Sequence, residues 1–284
     1  MGVCRRLVKP NEPRAKKRFG QHFLRDTGVV ERIVRWIRPS ADDLFLDIGA
    51  GDGALSSRLA PSVSRLLAIE IDADCIPHLE GILASFESAT VVEGDILQLN
   101  LTELVTPHLQ PGRKLRIAGN LPYNIATAII EKLLHAELPI EDMVFMVQLE
   151  VAQRITAIPG TRQYGFFSVY CQHHSDVRFG FRVSSGCFVP RPRVSSAIVS
   201  FRPKPSPLSP DLEPDFEVIC KAAFSHRRKT LENSLSSHPV FGKICRLLLA
   251  RTGINGSRRA EQLSVREYEC LAQTYNELRM TNDE

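Results

Sequence analysis

The chain has 284 residues, of which 43% are hydrophobic and 24% are charged. This length and composition are typical of a soluble globular protein with one or two domains. No apolar run approaches the roughly 20 residues that a membrane-spanning helix needs, and no apolar segment follows the basic N-terminus as in a signal peptide. We therefore expect a cytoplasmic protein without a membrane anchor.

Charge is distributed unevenly along the chain. Residues 1–20 contain seven Lys or Arg and one Glu, and residues 187–284 contain 15 basic and 11 acidic residues. Residues 21–186 contain 14 basic and 20 acidic residues. Two basic ends around an acidic middle predict that the ends bind a polyanion and that the centre binds a different ligand. For 1–20 alone, a disordered, solvated tail is an equally good interpretation.

Cysteine and histidine spacing argues against metal binding. The seven cysteines include no C-x-x-C pair, which is typical of reduced thiols in the cytosol. The eight histidines show no metal-ligand spacing. His173 and His174 are adjacent, and we expect their side chains to point in different directions. The sequence therefore predicts no metal site.

The first predicted element is a helix over 29–37, whose apolar residues recur at helical spacing. Asp26 or Thr27 is placed to cap it, and Pro39 ends it. Short apolar runs then follow at 44–48, 66–71, 90–92, 115–118 and 143–147, separated by helical stretches that include 75–83 and 125–134. This alternation is typical of a parallel sheet with helices on both faces. We predict an α/β fold with a Rossmann-like sheet.

The C-terminal part of the chain has a different pattern. Segments 168–181 and 195–201 are predicted strands near a sheet edge, and the five prolines of 203–214 predict a linker. Helical patterns at 216–224, 240–250 and 265–278 predict a small all-helical C-terminal domain. The expected divisions are a basic leader 1–20, an α/β domain 21–203, a linker 204–214 and a helical domain 215–284.

The segment 44–53, L-F-L-D-I-G-A-G-D-G, is a predicted strand that leads into a glycine-rich turn. Gly49 and Gly51 let the backbone turn tightly and approach a ligand beyond the carboxyl end of the strand. The spacing is G-x-G-x-G. It is neither the G-x-G-x-x-G of dinucleotide binders nor the G-K-[ST] of nucleoside triphosphate binders.

Acidic residues follow the next two predicted strands. Glu70 lies 21 residues after Gly49, where its carboxylate could accept hydrogen bonds from ribose hydroxyls. Asp95 follows the third strand, where it could accept a hydrogen bond from an adenine amino group. Either residue alone is more often structural. Together with the glycine turn they favour an S-adenosylmethionine pocket over an NAD pocket.

The predicted strand 115–118 leads into Asn120-Leu121-Pro122-Tyr123. Pro122 restricts Leu121 to an extended conformation, which predicts a rigid bracket in which the Asn120 side-chain oxygen and the Leu121 carbonyl are preorganised acceptors. Two such acceptors suit the two hydrogens of an adenine amino group, and Tyr123 offers a face for stacking the base. Without the glycine turn, an asparagine cap before a helix would be the better interpretation.

Five segments resemble one known family. They are 17–24 (K-R-F-G-Q-H-F-L), 48–53 (I-G-A-G-D-G), 120–123 (N-L-P-Y), 188–196 (F-V-P-R-P-R-V-S-S) and 223–231 (A-F-S-H-R-R-K-T-L). In this order, over residues 16 to roughly 235, they resemble the small-subunit ribosomal RNA adenine dimethyltransferases. The resemblance implies two methyl transfers to N6 of each of two adjacent adenosines near the 3′ end of small-subunit (16S) rRNA. S-adenosylmethionine is the implied donor, and the immature small subunit is the implied partner.

The resemblance also implies residue roles. The implied cofactor-binding residues are Gln21, His22, Leu24, Gly49, Gly51, Glu70, Asp95 and Asn120. The implied catalytic residues are Asn120, Leu121, Pro122, Tyr123 and Phe188, with Phe188 as the second face of a stacking clamp. Arg227, Arg228 and Lys229 of the helical domain are implied to contact RNA phosphates. His22 stands where the family frequently has asparagine. Without the resemblance, Phe188 would be interpreted as core packing and the charged triplet as solvated surface.

Two other functions compete with this one. The first is the related methylase that modifies large-subunit rRNA and confers antibiotic resistance, which the R-R-K-T-L and F-x-P-x-P-x-V-x-S segments disfavour. The second is a non-catalytic RNA- or DNA-binding assembly or transcription factor on the same fold, which the intact Asn120 bracket disfavours. No feature indicates an oligomer, so we expect a monomer.

Overall fold

The computed structural model describes residues 13–281. The chain divides into two compact units, the first formed by residues up to 152 with Arg178–Pro203 and the second by Gln153–Val177 with the residues from 204 onward. None of the helices in the described range is long and apolar enough to cross a membrane. Most of the leader expected at 1–20 lies outside the described residues.

The strands are β1 (Phe23–Leu24), β2 (Leu44–Ile48), β3 (Arg65–Glu70), β4 (Ala89–Glu93), β5 (Leu115–Asn120), β6 (Ile140–Gln148), β7 (Ser175–Val183), β8 (Phe188–Val189) and β9 (Ser196–Pro203). The helices are α1 (Thr27–Ile37), α2 (Ser56–Leu59), α3 (Ile76–Leu83), α4 (Leu101–Val105), α5 (Ala126–Leu134), α6 (Leu149–Ile155), α7 (Phe166–His174), α8 (Glu213–Phe224), α9 (Leu231–Ser236), α10 (Cys245–Thr252) and α11 (Val265–Met280).

The main sheet has the strand order β4-β3-β2-β5-β6-β9-β7. The pairings from β4 to β6 are parallel, and β9 runs antiparallel to β6. All five residues of β2 are buried, as in a central strand covered on both faces. The predicted α/β, Rossmann-like fold with helices on both sides of the sheet is therefore confirmed.

The predicted first helix is also confirmed. Asp26 caps α1 by accepting a hydrogen bond from the Val29 amide at 3.1 Å. Val30, Ile33 and Ile37 form its buried face. Their spacing of three and four residues is that of one side of an α-helix.

Gly119 allows β5 to lie close to β2. A Cβ atom at this position would lie 2.4 Å from the main-chain oxygen of Ile48, which is closer than such atoms approach in proteins. The strand continues through Asn120, which pairs with Met146 of β6. Asn120 is therefore the last residue of β5 and lies directly after this close contact.

The second unit differs from the expectation in three respects. Residues 166–174 form the helix α7, although 168–174 were expected to be part of a strand. Residues 153–177 group with the C-terminal helices, although the α/β domain was expected to include every residue up to 203. The proline-rich segment expected to be a linker contributes buried Leu208 and Leu212 to the core of this unit. Because these side chains are packed, the segment is part of the helical unit.

Candidate active site

A cavity of about 240 Å³ lies at the carboxyl ends of the parallel strands. Ile48, Glu70 and Asn120, the last residues of β2, β3 and β5, line it. The other residues of the sequence prediction that line it are Gln21, His22, Gly49, Gly51, Asp95, Leu121, Pro122 and Tyr123. The carboxyl ends of parallel strands are where open α/β sheets bind ligands.

The glycine turn has the backbone conformation that its sequence requires. Gly49, Gly51 and Gly53 have φ values of 70°, 56° and 74°, in the left-handed region that side chains disfavour. A Cβ atom on Gly51 would also lie 3.2 Å from the Phe23 ring. The turn therefore keeps its backbone amides at the cavity wall, with no side chain between them and a ligand.

Glu70 is held by the backbone around it. Its Oε2 accepts a hydrogen bond from the Gly51 amide at 2.7 Å, and its Oε1 accepts bonds from the Ile71 and Asp72 amides at 3.0 and 2.9 Å. Burial raises the pKa of Glu70, and these three hydrogen bonds oppose the rise. A carboxylate has about four acceptor positions. Glu70 can therefore accept one more bond, and two ribose hydroxyls would displace one backbone amide.

Asp95 and Gln21 line other parts of the cavity. Asp95 Oδ1 accepts a hydrogen bond from the Leu97 amide at 2.9 Å. The Gln21 side chain accepts a bond from the Lys16 amide at 2.8 Å and donates one to Asp72 at 3.0 Å. Both ends of the Gln21 amide are thereby fixed, so that this side chain forms a rigid part of the wall.

Asn120 is oriented by a residue far away in the sequence. Its Nδ2 donates a hydrogen bond to the main-chain oxygen of His22 at 3.0 Å. Because that partner is a carbonyl, the nitrogen of the amide must face it, and Oδ1 is left as an acceptor. The next residue, Leu121, is 1% exposed and donates its amide to the Met146 oxygen at 3.1 Å.

Tyr123 is fixed at its hydroxyl and at its ring. The hydroxyl shares a hydrogen bond with Ser196 Oγ at 2.6 Å, and the ring stacks with the His22 ring at a centroid distance of 5.4 Å. Burial raises the pKa of Tyr123, and the bond to Ser196 opposes the rise. His22 Nδ1 lies 2.7 Å from the Pro190 oxygen. Ser196 ends the segment 188–196 but was not among the expected site residues.

Phe188 and Leu24 do not occupy the expected positions. They pair across the two-stranded sheet of β1 and β8, are 2% and 6% exposed, and lie in the hydrophobic core of the first unit. Neither is among the described residues that line the cavity, whereas Phe23 is. Successive strand residues point to opposite sides, so burial of Leu24 turns Phe23 toward the cavity. The expected clamp of Phe188 with Tyr123 is not formed in this structure.

The charged triplet follows α8 and is exposed. The Arg227 guanidinium hydrogen-bonds to the Arg162 oxygen and lies 3.5 Å from the Glu261 carboxylate. Neither Arg228 nor Lys229 forms an ion pair with any residue in the range 13–281. Arg228 and Lys229 are therefore more available than Arg227 to bind a polyanion, because the Arg227 guanidinium already has partners.

The two adjacent histidines do not diverge as expected. The ring centroids of His173 and His174 are 4.7 Å apart, and their nitrogens lie within 4.8 Å of a Glu213 carboxylate oxygen. His173 is fully buried, with Nδ1 2.8 Å from Glu269 and Nε2 3.2 Å from Glu213. Two carboxylates facing one imidazole are typical of a protonated histidine in an ion cluster.

The fold and the cavity define the class of protein. Four features together characterise a methyltransferase: a Rossmann-like sheet, a G-x-G-x-G turn after β2, an acidic residue at the end of β3, and N-L-P-Y beginning at the last residue of β5. The chain belongs to the ribosomal RNA adenine dimethylase family, whose model matches residues 12–277.

Named relatives agree with this assignment. The chain is 42% identical to ribosomal RNA small subunit methyltransferase A of Chromohalobacter salexigens, over 91% of this chain and 90% of that protein. It is 38% identical to the protein of the same name from Latilactobacillus sakei, over 96% and 94% of the two chains. These names favour the small-subunit enzyme over the two competing functions.

Solved structures show the same fold. A dimethyladenosine transferase from Plasmodium falciparum superposes with a TM-score of 0.77 at 23% identity, covering 90% of this chain and 98% of that one. The 23S rRNA methyltransferase ErmE superposes with a TM-score of 0.68 at 24% identity, covering 89% and 99%.

Proposed function

We propose that this protein transfers methyl groups from S-adenosylmethionine to N6 of two adjacent adenosines near the 3′ end of small-subunit rRNA. The observation that carries the proposal is the fixed orientation of Asn120, with its amide nitrogen bonded to His22 and its oxygen left as an acceptor at the cavity. The names of the relatives supply the substrate, a small-subunit rRNA. A ribosomal substrate also favours a cytoplasmic location.

The residues of the cavity fit S-adenosylmethionine, which would supply a methyl group activated on a sulfonium. Glu70 would bind the ribose hydroxyls through its remaining acceptor position and through the position that Gly51 now uses. Asp95 would accept a hydrogen bond from the adenine amino group of the cofactor. Gly49, Gly51, Gln21 and His22 would contact the rest of the molecule.

Asn120 and Leu121 would hold the target adenine. Its amino nitrogen is a poor nucleophile, since the lone pair is delocalised into the ring. Two acceptors that bind both hydrogens draw the nitrogen toward tetrahedral geometry and free the lone pair for attack. The nitrogen becomes cationic when it gains the methyl group, so it can lose its proton to water without a strong base. Tyr123 would stack on the extruded base.

RNA outside the active site would be bound by the helical unit, in particular by Arg228 and Lys229, which are exposed and extend the basic C-terminal region. We propose that the protein acts as a monomer on the immature small subunit. The second face of the base would come from a residue other than Phe188, or from Phe188 after the β1–β8 pair rearranges.

The experiment that tests this function uses S-adenosylmethionine with a labelled methyl group. The protein is incubated with immature small subunits, with large subunits and with protein-free rRNA, and modified bases are mapped by mass spectrometry. We expect N6,N6-dimethyladenosine at two adjacent positions of the small-subunit rRNA, and its formation at a greatly reduced rate with Asn120→Ala. Label in large-subunit RNA instead would show a different substrate. No label in any sample would contradict an enzymatic function.

A further inference from the structure

Three side chains at the end of α7 and the start of α8 form a set of ligands that zinc uses in proteins. One nitrogen of His173, one nitrogen of His174 and one carboxylate oxygen of Glu213 lie within 4.8 Å of one another. His173 Nε2 is 3.2 Å and His174 Nε2 is 4.0 Å from Glu213 Oε2. Tetrahedral zinc with bonds of about 2.0–2.1 Å needs ligand atoms roughly 3.3 Å apart. The first distance already fits, and the others exceed this value by no more than about 1.5 Å.

The second nitrogen of His173 has the partner that is typical of a metal-bound histidine. Nδ1 lies 2.8 Å from the Glu269 carboxylate of α11. A carboxylate in this position fixes the orientation of the ring and makes the opposite nitrogen more basic. That opposite nitrogen, Nε2, faces Glu213, and the Ser206 hydroxyl lies 3.1 Å from it. The cluster therefore has an outer partner for one ligand and a further oxygen beside it.

Packing holds both imidazole rings in place. His173 is fully buried and stacks on the Phe216 ring with centroids 4.0 Å apart. The His174 ring packs edge-on against Tyr170 at 4.7 Å. The side chains of His174 and Glu213 are 13% and 23% exposed, so an ion from solvent can reach the cluster. Ligands that are already held in place lose little freedom on binding, which favours affinity.

The charges of the cluster favour a divalent cation. A proton on His173 offsets only one of the two carboxylates of Glu213 and Glu269, whereas a Zn²⁺ ion in place of that proton offsets both. Imidazole nitrogens suit zinc, whereas Mg²⁺ and Ca²⁺ prefer six or more oxygen ligands. Zinc is therefore the ion that fits this set of ligands.

We propose that the two histidines and Glu213 bind a Zn²⁺ ion in the second unit, with Ser206 or a water molecule as the fourth ligand. Binding releases the proton of His173 Nε2 to solvent, and Nδ1 keeps its hydrogen bond to Glu269. The ion joins α7 to α8 and, through Glu269, to α11, so its role is to stabilise the helical unit. The site uses none of the residues proposed for methyl transfer. Zinc bound here would replace the sequence-based expectation that the chain has no metal site.

The test uses the full-length protein after removal of metal with a chelator. Zinc affinity is measured by competition with a coloured chelator, and thermal unfolding is measured with and without Zn²⁺. The wild-type unfolding temperature should rise with zinc concentration. His174→Gln keeps the contacts of His173 with both carboxylates, yet should bind zinc more than about 100-fold more weakly and lose this rise, whereas Glu269→Gln should bind it about 10- to 100-fold more weakly. His226→Gln, which replaces an exposed histidine of the same unit, is the control and should bind zinc as the wild type does.

Cobalt(II) in place of zinc identifies the ligands, since tetrahedral Co²⁺ absorbs visible light and a thiolate ligand adds a charge-transfer band in the ultraviolet. We expect the tetrahedral spectrum without a thiolate band in the wild type, and loss of that spectrum in His174→Gln. A thiolate band, equal zinc affinities of the wild type and His174→Gln, or an unfolding temperature that zinc does not raise would overturn the inference. Neither RNA nor S-adenosylmethionine is present in these measurements, so their outcome does not depend on the proposed function.

Discussion

The side-chain nitrogen of Asn120 donates a hydrogen bond to the main-chain oxygen of His22 at 3.0 Å. This bond links two segments that are far apart in the sequence and fixes which end of the amide is the acceptor. Asn120→Ala removes the acceptor but leaves the glycine turn and Glu70 in place. We expect turnover to fall by about 10²–10³-fold, the effect of losing one preorganised polar group.

Single-turnover kinetics and calorimetric binding of S-adenosylmethionine together check this prediction. The affinity of Asn120→Ala for the cofactor should fall by less than about 10-fold, because the other residues of the cavity remain. Equal losses of turnover and cofactor affinity would show that Asn120 binds the cofactor and does not orient the amine.

Glu70→Gln should act mainly on cofactor binding. The amide retains one acceptor oxygen but places an NH₂ group against backbone amides that now donate to the carboxylate. We expect the Kd for S-adenosylmethionine to rise about 10- to 100-fold, equivalent to about 1.4–2.8 kcal/mol. Glu93→Gln is the matched control, since Glu93 ends the neighbouring strand β4 and is exposed. If Glu70→Gln binds S-adenosylmethionine with unchanged affinity, Glu70 does not bind the ribose.

Gly119→Ala should destabilise the protein. The added Cβ atom would lie 2.4 Å from the Ile48 oxygen, and two paired strands would have to move apart. We expect a loss of about 1–3 kcal/mol in the free energy of unfolding, measured by urea denaturation. In Gly81→Ala, nothing lies within 4 Å of the new Cβ atom, and helix α3 should gain about 0.5–1 kcal/mol. Equal stabilities of the two variants would contradict the close contact of β2 and β5.

The charged triplet should contribute unequally to RNA binding. The guanidinium of Arg227 is occupied by Glu261 and the Arg162 oxygen, so Arg227→Gln should change the salt dependence of binding little. Arg228→Gln/Lys229→Gln should reduce the slope of log K against log salt by about 0.7–0.9 for each phosphate that is no longer neutralised. Filter binding over a range of salt concentrations measures both variants. An unaltered slope in the double variant would show that Arg228 and Lys229 do not contact RNA phosphates.

His173 should make stability depend on pH. Burial lowers its pKa, but hydrogen bonds to Glu213 and Glu269 more than offset this, and the pKa in the folded protein is raised. A raised pKa means that the folded state holds the proton more tightly than the unfolded state. The stabilisation is then complete below the ordinary histidine pKa of about 6.5 and is lost as pH rises through the raised value.

Denaturation of the wild type and His173→Gln from about pH 5.5 to about pH 9 measures this effect. The stability difference between the two proteins should be largest at the acidic end and decrease with rising pH. His226→Gln, which replaces an exposed histidine of the same unit, is the matched control for the loss of an imidazole. A difference independent of pH would mean that His173 is neutral in the folded protein.

The sequence was sufficient for features that depend on local pattern. The buried runs that became β2, β3 and β5 could be recognised, because strands covered on both faces are apolar throughout. The positive φ angles of Gly49 and Gly51 follow from the need for glycine in a tight turn. The end of β5 could also be predicted, because the polar side chain of Asn120 follows an apolar run.

Helix α7 and residues 204–214 could not be predicted in this way. Phe167, Val169 and Cys171 are all buried, and so are the residues between them, so α7 has no polar face to reveal its helical period. Prolines made 204–214 resemble a linker, but the burial of Leu208 and Leu212 depends on the helices packed around them.

Contacts between residues far apart in the chain could not be predicted from the sequence either. The contacts of His22 with Asn120, Tyr123 and Pro190 join three separate segments, and no local pattern specifies them. The burial of Phe188 depends likewise on the pairing of β8 with β1, which sets the side to which its ring points.

The central claim is that the Asn120 side-chain oxygen and the Leu121 carbonyl hold the amino group of the target adenine. The most direct measurement is a crystal structure with an unreactive analogue of S-adenosylmethionine and an RNA that contains the target adenosines. We predict that the adenine N6 lies within about 3.2 Å of both oxygens and faces the position of the methyl group. An adenine whose N6 contacts neither oxygen, or an Asn120 amide that presents its nitrogen to the base, would contradict the claim.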